Sequence, residues 1–157
     1  MVRPVPDEKP TFLASMAICF AAGAVGGLLS GNGVATWYPG LVTPWFTPPN
    51  WVFGPVWTGL YALMGVSLYL VARHGWRQRA VGIFAAHLAL NVAWSFAFFG
   101  LRSPVSGLVV VLALLGSILW TIRAFRAVSR EAAALLLPYL AWGGFAAMLN
   151  AAIVLLN

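Results

Sequence analysis

Five long apolar runs, separated by polar breaks, set the pattern of this chain. They cover roughly Thr11–Ser30, Asn50–Ala72, Arg79–Gly100, Pro104–Phe125 and Ala132–Leu156. A bilayer is crossed by a helix of about 20 mostly apolar residues, and each run is near that length. None shows the two-residue alternation of a barrel strand, and only helices and closed barrels satisfy their backbone in hydrocarbon. The pattern predicts an all-α membrane protein, a bundle of five transmembrane helices. Pro49 and Pro104 fall at or before helix starts, where a missing N–H costs nothing. Pro55 and Pro138 fall in or near the first turns of the second and fifth runs and predict kinks there.

The polar breaks divide the chain into a short tail, residues 1–10, and one membrane domain, residues 11–157. No cleavage pattern of a secretory signal precedes the first run, so that run is expected to stay as a span. The first connection, residues 31–49, is the long one. Its Pro39-Gly40, Thr43-Pro44 and Thr47-Pro48-Pro49 steps predict a stiff, extended, non-helical loop. The remaining connections are short and force neighbouring spans to run antiparallel. No internal repeat is visible, which speaks against an inverted-repeat transporter.

Composition sharpens this picture. The 157 residues are 62% hydrophobic and 8% charged, against about 25% charged in soluble domains. The net charge of +6 would first suggest nucleic acid. The cations instead flank the spans, so no nucleic-acid partner is expected. Arg3, Lys9, Arg73, Arg77, Arg79, Arg123, Arg126 and Arg130 fall on one side of the five-span topology and Arg102 alone on the other. That asymmetry predicts a cytoplasmic N-terminus, with the first loop and the C-terminus outside.

No Asp, Glu, Lys or Arg lies in the middle of a span. Ion-coupled transporters bury such groups as relays, and hydrolases need paired carboxylates, triads or metal clusters. Both classes lose support, and no metal site is expected. Cys19 reads as a buried small hydrophobe. The polar groups left at membrane depth are His87, Asn91, Ser95 and Asn150. His87, Asn91 and Ser95 recur every four residues and form one helix stripe. Such groups either join helices by hydrogen bonds or line a pocket. For Asn91 and Ser95 the flanking Trp94 favours the pocket. His87 as an axial haem ligand is a further alternative.

Aromatic residues carry the strongest signal. The stretch WYPGLVTPWFTPPNWVFGPVWTGLY, Trp37 to Tyr61, holds four Trp, five Pro and no charge. It reads as a rigid lid over the mouth of the bundle. Phe53, Trp57 and Tyr61 share one face of the second span, and Tyr139, Trp142 and Phe145 share a broad face of the fifth. Trp37, Trp45, Trp51 and Trp76 fit an interfacial belt, whereas Trp57, Trp94 and Trp142 fit a pocket lining. Small residues at four-residue steps, Gly23/Gly27, Gly82/Ala86 and Gly143/Ala147, predict close helix approach. For Gly143 and Ala147, room for a ligand beside Trp142 is the alternative.

Together the lid segment, LNVAWSFAFFG (Leu90 to Gly100) and PYLAWGGFAAMLN (Pro138 to Asn150) resemble the translocator protein family, also called the tryptophan-rich sensory protein or peripheral-type benzodiazepine receptor family. The resemblance spans all five runs. It implies a five-helix membrane protein, usually a homodimer, whose pocket beneath the first loop binds porphyrins, haem-like tetrapyrroles and isoquinoline or benzodiazepine drugs. Carried over residue by residue, the pocket would use Trp37, Tyr38, Trp57, Tyr61, Asn91, Trp94, Ser95, Trp142, Gly143 and Ala147. The tryptophans matching Trp57 and Trp142 are associated in that family with light-dependent oxidative breakdown of protoporphyrin. His87 stands where many members have Gln. The tail AAIVLLN lacks the Tyr and Arg of the sterol motif found in animal members. The expectation is a receptor or sensor for porphyrin-type tetrapyrroles and similar flat hydrophobic ligands, with carriage of them across or out of the membrane as an extension of that role, protoporphyrin or haem as ligand, lipid around it and no obligatory cofactor. A porphyrin-degrading enzyme using Trp57 and Trp142 is the alternative.

Overall fold

The computed structural model describes residues 8–75 and 78–157. Arg3, Trp76 and Arg77 lie outside the described residues. Every regular element among the described residues is helical. The elements are α1 (Glu8–Thr36), α2 (Asn50–Ala72), α3 (Gln78–Ser95, continued by a wide π-turn at Phe96–Gly100), α4 (Pro104–Arg126), α5 (Arg130–Leu135) and α6 (Leu137–Leu156). With α5 and α6 taken as one span, five helices are long and apolar enough to cross a membrane.

Local sequence explains most boundaries. Ser103 caps α4, its Oγ accepting from Ser106 N at 3.2 Å, with Pro104 following at the first position. Ser129 caps α5 by accepting from Ala132 N at 3.1 Å. Pro138 cannot donate to a carbonyl one turn back. The last span therefore breaks at Leu136, whose N–H turns to Ala133 O at 3.2 Å. Pro55 sits inside α2 and the helix runs on through it.

The first span differs from expectation. It was predicted over Thr11–Ser30 but runs from Glu8 to Thr36, so the lid begins at Trp37 rather than at residue 31. Read from the sequence, the long connection starts at Gly31. Gly33 instead meets the Phe99 backbone so closely that a Cβ would collide with its carbonyl oxygen. Ser30 and Thr36 return their hydroxyls to carbonyls four residues back, both at 2.8 Å. Tertiary contact has overridden propensity here. The lid then holds a single 3₁₀ turn, Tyr38–Gly40.

The bundle has two unlike halves. Toward the α2–α3 turn, Met64, Leu68, Phe84, Ile118, Phe125 and Leu136 are fully buried in one core. Phe84 and Phe125 stack there with centroids 5.5 Å apart. Toward the lid, Phe98, Leu149 and Ile153 form a smaller core, with partly buried rings around it. Between the halves lies a buried polar bridge. Tyr61 Oη donates to Asn91 Oδ1 at 2.6 Å, and Asn91 Nδ2 donates to Tyr139 Oη at 2.8 Å.

Candidate ligand-binding cavity

Above that bridge the helices stand apart around a hollow of about 280 Å³. Its α2 wall is the predicted stripe of Phe53, Trp57 and Tyr61. The four-residue repeat puts these rings on one face. Trp94, Ser95, Phe98 and Phe99 form the α3 wall. Trp142, Phe145, Ala146 and Leu149 form the α6 wall. Tyr38 closes the lid end.

Ring contacts run along the walls. Trp57 lies near-parallel to Tyr61, with centroids 5.7 Å apart, and to Trp94 at 6.2 Å. Trp94 in turn lies near-parallel to Phe98 at 5.8 Å. On the other side Trp142 meets Phe53 edge-on at 5.9 Å and Phe145 at 5.3 Å. Each such pair adds about 0.5–1.5 kcal/mol beyond area burial, so the rings are braced against collapse.

The remaining wall is α1, made of Gly23, Gly26, Gly27 and Ser30, with Val34 toward the lid. A Cβ on Gly23 would lie 2.7 Å from the Tyr61 ring, and one on Gly26 would lie 3.2 Å from Ser95 Oγ. Gly27 lines the hollow with nothing within 4 Å of a Cβ position, as does Gly54 across the gap on α2. Both are exposed, so the hollow has a side mouth between α1 and α2. A second hollow of about 290 Å³ lies between Ile18 and Ala22 of α1, Leu68 of α2, and the Val81–Val92 face of α3. Its lining is wholly apolar, without polar groups to orient a ligand. The mixed, ring-lined hollow is the better candidate site.

Of the residues picked out in the sequence, Tyr38, Phe53, Trp57, Tyr61, Trp94, Ser95, Trp142, Phe145 and Asn150 line this hollow. Trp37, Asn91, Gly143 and Ala147 do not. Trp37 lies behind the wall, edge-on to Phe98 at 5.5 Å. Asn91 spends its carboxamide on the two tyrosines of the polar bridge. Gly143 faces α4, where a Cβ would lie 3.1 Å from Leu115 Cδ2, so its smallness serves helix approach. Ala147 follows one turn later and is buried. His87 is fully buried outside the hollow, against Phe84 at 4.9 Å and Tyr139 at 5.4 Å. Among the described residues no three His, Cys, Asp or Glu side chains gather as a metal site. The α1 wall was missed. Its signal, the small residues Gly23, Gly26, Gly27 and Ser30, also fits plain helix packing.

The lid is anchored by rings and by one carboxamide. Phe46 packs on Phe145 at 6.4 Å. Tyr38 packs on Phe99 at 5.7 Å, and burial pushes its phenol above the ordinary tyrosine range, so it stays a neutral O–H. Asn157 pairs with Val42 as a neighbouring strand would, accepting from its N–H and donating to its carbonyl, both at 3.0 Å. Trp45 and Trp51 point away, 95% and 75% exposed, as members of an interfacial belt do.

Comparison with known proteins covers nearly the whole chain. Residues 15–156 match the profile of the TspO/MBR family. The chain is 46% identical to "Tryptophan-rich protein TspO" of Archaeoglobus fulgidus over 147 residues, covering 92% of this chain and 95% of that protein. It is 36% identical to "Tryptophan-rich sensory protein" of Cereibacter sphaeroides, covering 93% and 90%. It is 45% identical to "Translocator protein" of Homo sapiens over 119 residues, covering 73% and 70%.

Proposed function

The chain belongs to the TspO/MBR family of multi-pass membrane proteins, and we propose that it is a receptor for porphyrin-type tetrapyrroles and similar flat hydrophobic molecules. The observation that carries this reading is the hollow walled by Trp57, Trp94 and Trp142 and floored by hydrogen-bonded Tyr61. A flat aromatic ligand matches such walls by ring contact and needs few polar groups to orient it. Its volume of about 280 Å³ lies just below that of ligand pockets, which run about 300–1,000 Å³. The side mouth at Gly27 and Gly54 lets a wider disc extend toward lipid. Ser95 and the neutral Tyr38 hydroxyl supply polar contacts at the rim.

Titration with protoporphyrin, followed by quenching of tryptophan fluorescence, tests this. Trp142→Ala is expected to weaken binding severalfold or more, because that ring, held edge-on by Phe53 and tilted against Phe145, is the largest side chain of the α6 wall. Trp45→Ala, on the exposed side of the lid, is expected to change nothing. Equal affinities for the two variants would overturn the assignment.

A second reading is oxidative degradation of the bound porphyrin under light, with oxygen as oxidant. It is favoured by Trp57 and Trp142 lining the same hollow. Loss of the Soret band in illuminated, aerated samples is expected to slow in Trp57→Phe/Trp142→Phe. An unchanged rate would mean photochemistry of the free pigment. The proposal extends to orientation, with the lid outside. Among described residues Lys9, Arg73, Arg79, Arg123, Arg126 and Arg130 gather at the opposite end, which supports it. Labelling of a cysteine at position 43 by an impermeant reagent in intact cells tests that side.

A further inference from the structure

The second hollow, of about 290 Å³, indents the bundle between α1 and α3 and shares no lining residue with the first. Leu68, Phe84 and Leu88 line it and are buried, whereas Ile18, Ala85 and Ala89 line it and are exposed. It is therefore a trough open to the lipid and not a closed void. Ala85 and Ala89, four residues apart on α3, and Ala22 on α1 keep long side chains out of it.

Its depth and the charge at its end point to an occupant. α3 begins at Gln78, and the trough runs along it from Val81 to Val92. At about 1.5 Å per residue that is from about 5 Å to about 21 Å below the helix end. One leaflet supplies about 15 Å of hydrocarbon, half of about 30 Å, so the trough is as deep as one leaflet. At that end of the bundle stand Lys9 of α1, Arg73 after α2 and Arg79 of α3. Phe12 of α1 meets Tyr69 of α2 edge-on at 5.4 Å, and Glu8 lies 3.5 Å from Arg73, which ties the ends of α1 and α2 together. Lys9 and Arg79 are exposed and form no ion pair among the described residues. The shallow end of the trough thus keeps uncompensated positive charge. A second copy of the chain is the competing occupant. Two copies inserted the same way round and related by a two-fold axis bring like ends together, which sets these cations against their own images. An anionic lipid meets them with the opposite sign.

We propose that the trough holds one acyl chain of an anionic glycerophospholipid from the leaflet at the α2–α3 turn, with its phosphate among Lys9, Arg73 and Arg79. The apolar lining takes the chain, and the cations at the membrane surface select the headgroup.

Native mass spectrometry of the full chain in detergent tests this. The probes are dioleoyl phosphatidylglycerol and dioleoyl phosphatidylcholine, which share their chains and differ in net charge. The first phosphatidylglycerol is expected to bind the wild type at least about fivefold more tightly than the first phosphatidylcholine, the worth of one surface cation. Lys9→Gln/Arg79→Gln, at two exposed positions, is expected to bring the two lipids within about twofold of each other. Ala89→Phe puts a ring into the trough and is expected to weaken the first phosphatidylglycerol about tenfold, as a lost buried chain segment should. Val109→Phe, at a position 64% exposed on α4 and outside the trough, is expected to leave that affinity unchanged. Wild type that holds both lipids equally, or Ala89→Phe that matches Val109→Phe, overturns the site and leaves only a general belt of lipid. A wild-type dimer that Ala89→Phe splits gives the trough to a second copy and overturns the lipid assignment too.

Discussion

The two halves of this bundle are built from the same helices and reach opposite ends. Toward the α2–α3 turn, side chains from α2, α3, α4 and α5 interdigitate, and Met64, Ile118, Phe125 and Leu136 have no accessible surface. Toward the lid, equally large residues leave a space of about 280 Å³. Hydrophobicity does not separate the halves, since both are apolar. Two arrangements do. In the closed half large side chains meet across the bundle, as Phe84 meets Phe125. In the lid half the rings lean on neighbours of the same or the adjoining wall, as Phe53 does on Trp142 and Trp57 on Trp94, and α1 opposes them mostly with glycines. A hollow persists where rings are tied sideways and nothing large faces them. The bridge Tyr61–Asn91–Tyr139 marks the boundary and holds α2, α3 and α6 at fixed separation.

Changes confined to one half should therefore separate stability from binding. The largest effect is expected for Phe84→Ala in the closed half. Truncating a buried Phe costs about 3–5 kcal/mol, read as a lowered midpoint of thermal unfolding in detergent. The folded fraction should still bind protoporphyrin with near wild-type affinity. A loss of affinity matching the loss of stability would erase the distinction between halves.

Gly27→Phe is the converse change. A side chain there enters open space, so stability should move by no more than about 0.5 kcal/mol. Porphyrin binding should fall at least tenfold, about 1.4 kcal/mol, as the ring fills the hollow. Tight binding by a folded Gly27→Phe protein would mean that ligands sit elsewhere.

The smallest effect is expected for Asn157→Ala. It removes two hydrogen bonds to the lid backbone at an exposed position, worth at most about 0.5–1.5 kcal/mol each. Faster ligand release by severalfold, seen by stopped-flow displacement, with unfolding unchanged is the expected outcome. Identical release rates would show that rings alone hold the lid.

The spans were plain in the sequence because a helix that must bury every backbone group in lipid needs an unbroken apolar run. The stripe of Phe53, Trp57 and Tyr61 was plain for the same periodic reason and faces the hollow; of the broad face Tyr139, Trp142 and Phe145, the last two line the hollow while Tyr139 is fully buried in the polar bridge. Other features depend on partners that periodicity cannot supply. Asn91 and Ser95 are one turn apart on one stripe, yet Asn91 is claimed by two tyrosines and only Ser95 reaches the cavity. Gly143 follows Trp142 directly, and that one-residue step of about 100° turns it to α4. Glycines at 31 and 33 look like the end of a helix until Phe99 is known to lie against the second. The glycine wall of α1 was invisible for the same reason, because a missing side chain says nothing about what stands opposite it.

The open flank at Gly27 and Gly54 means that whatever occupies the hollow exchanges with the bilayer as directly as with water. Occupancy then follows the mole fraction of ligand dissolved in the surrounding amphiphile. A dissociation constant expressed per litre of buffer should rise in proportion to the detergent or phospholipid added, while one expressed per mole of amphiphile stays constant.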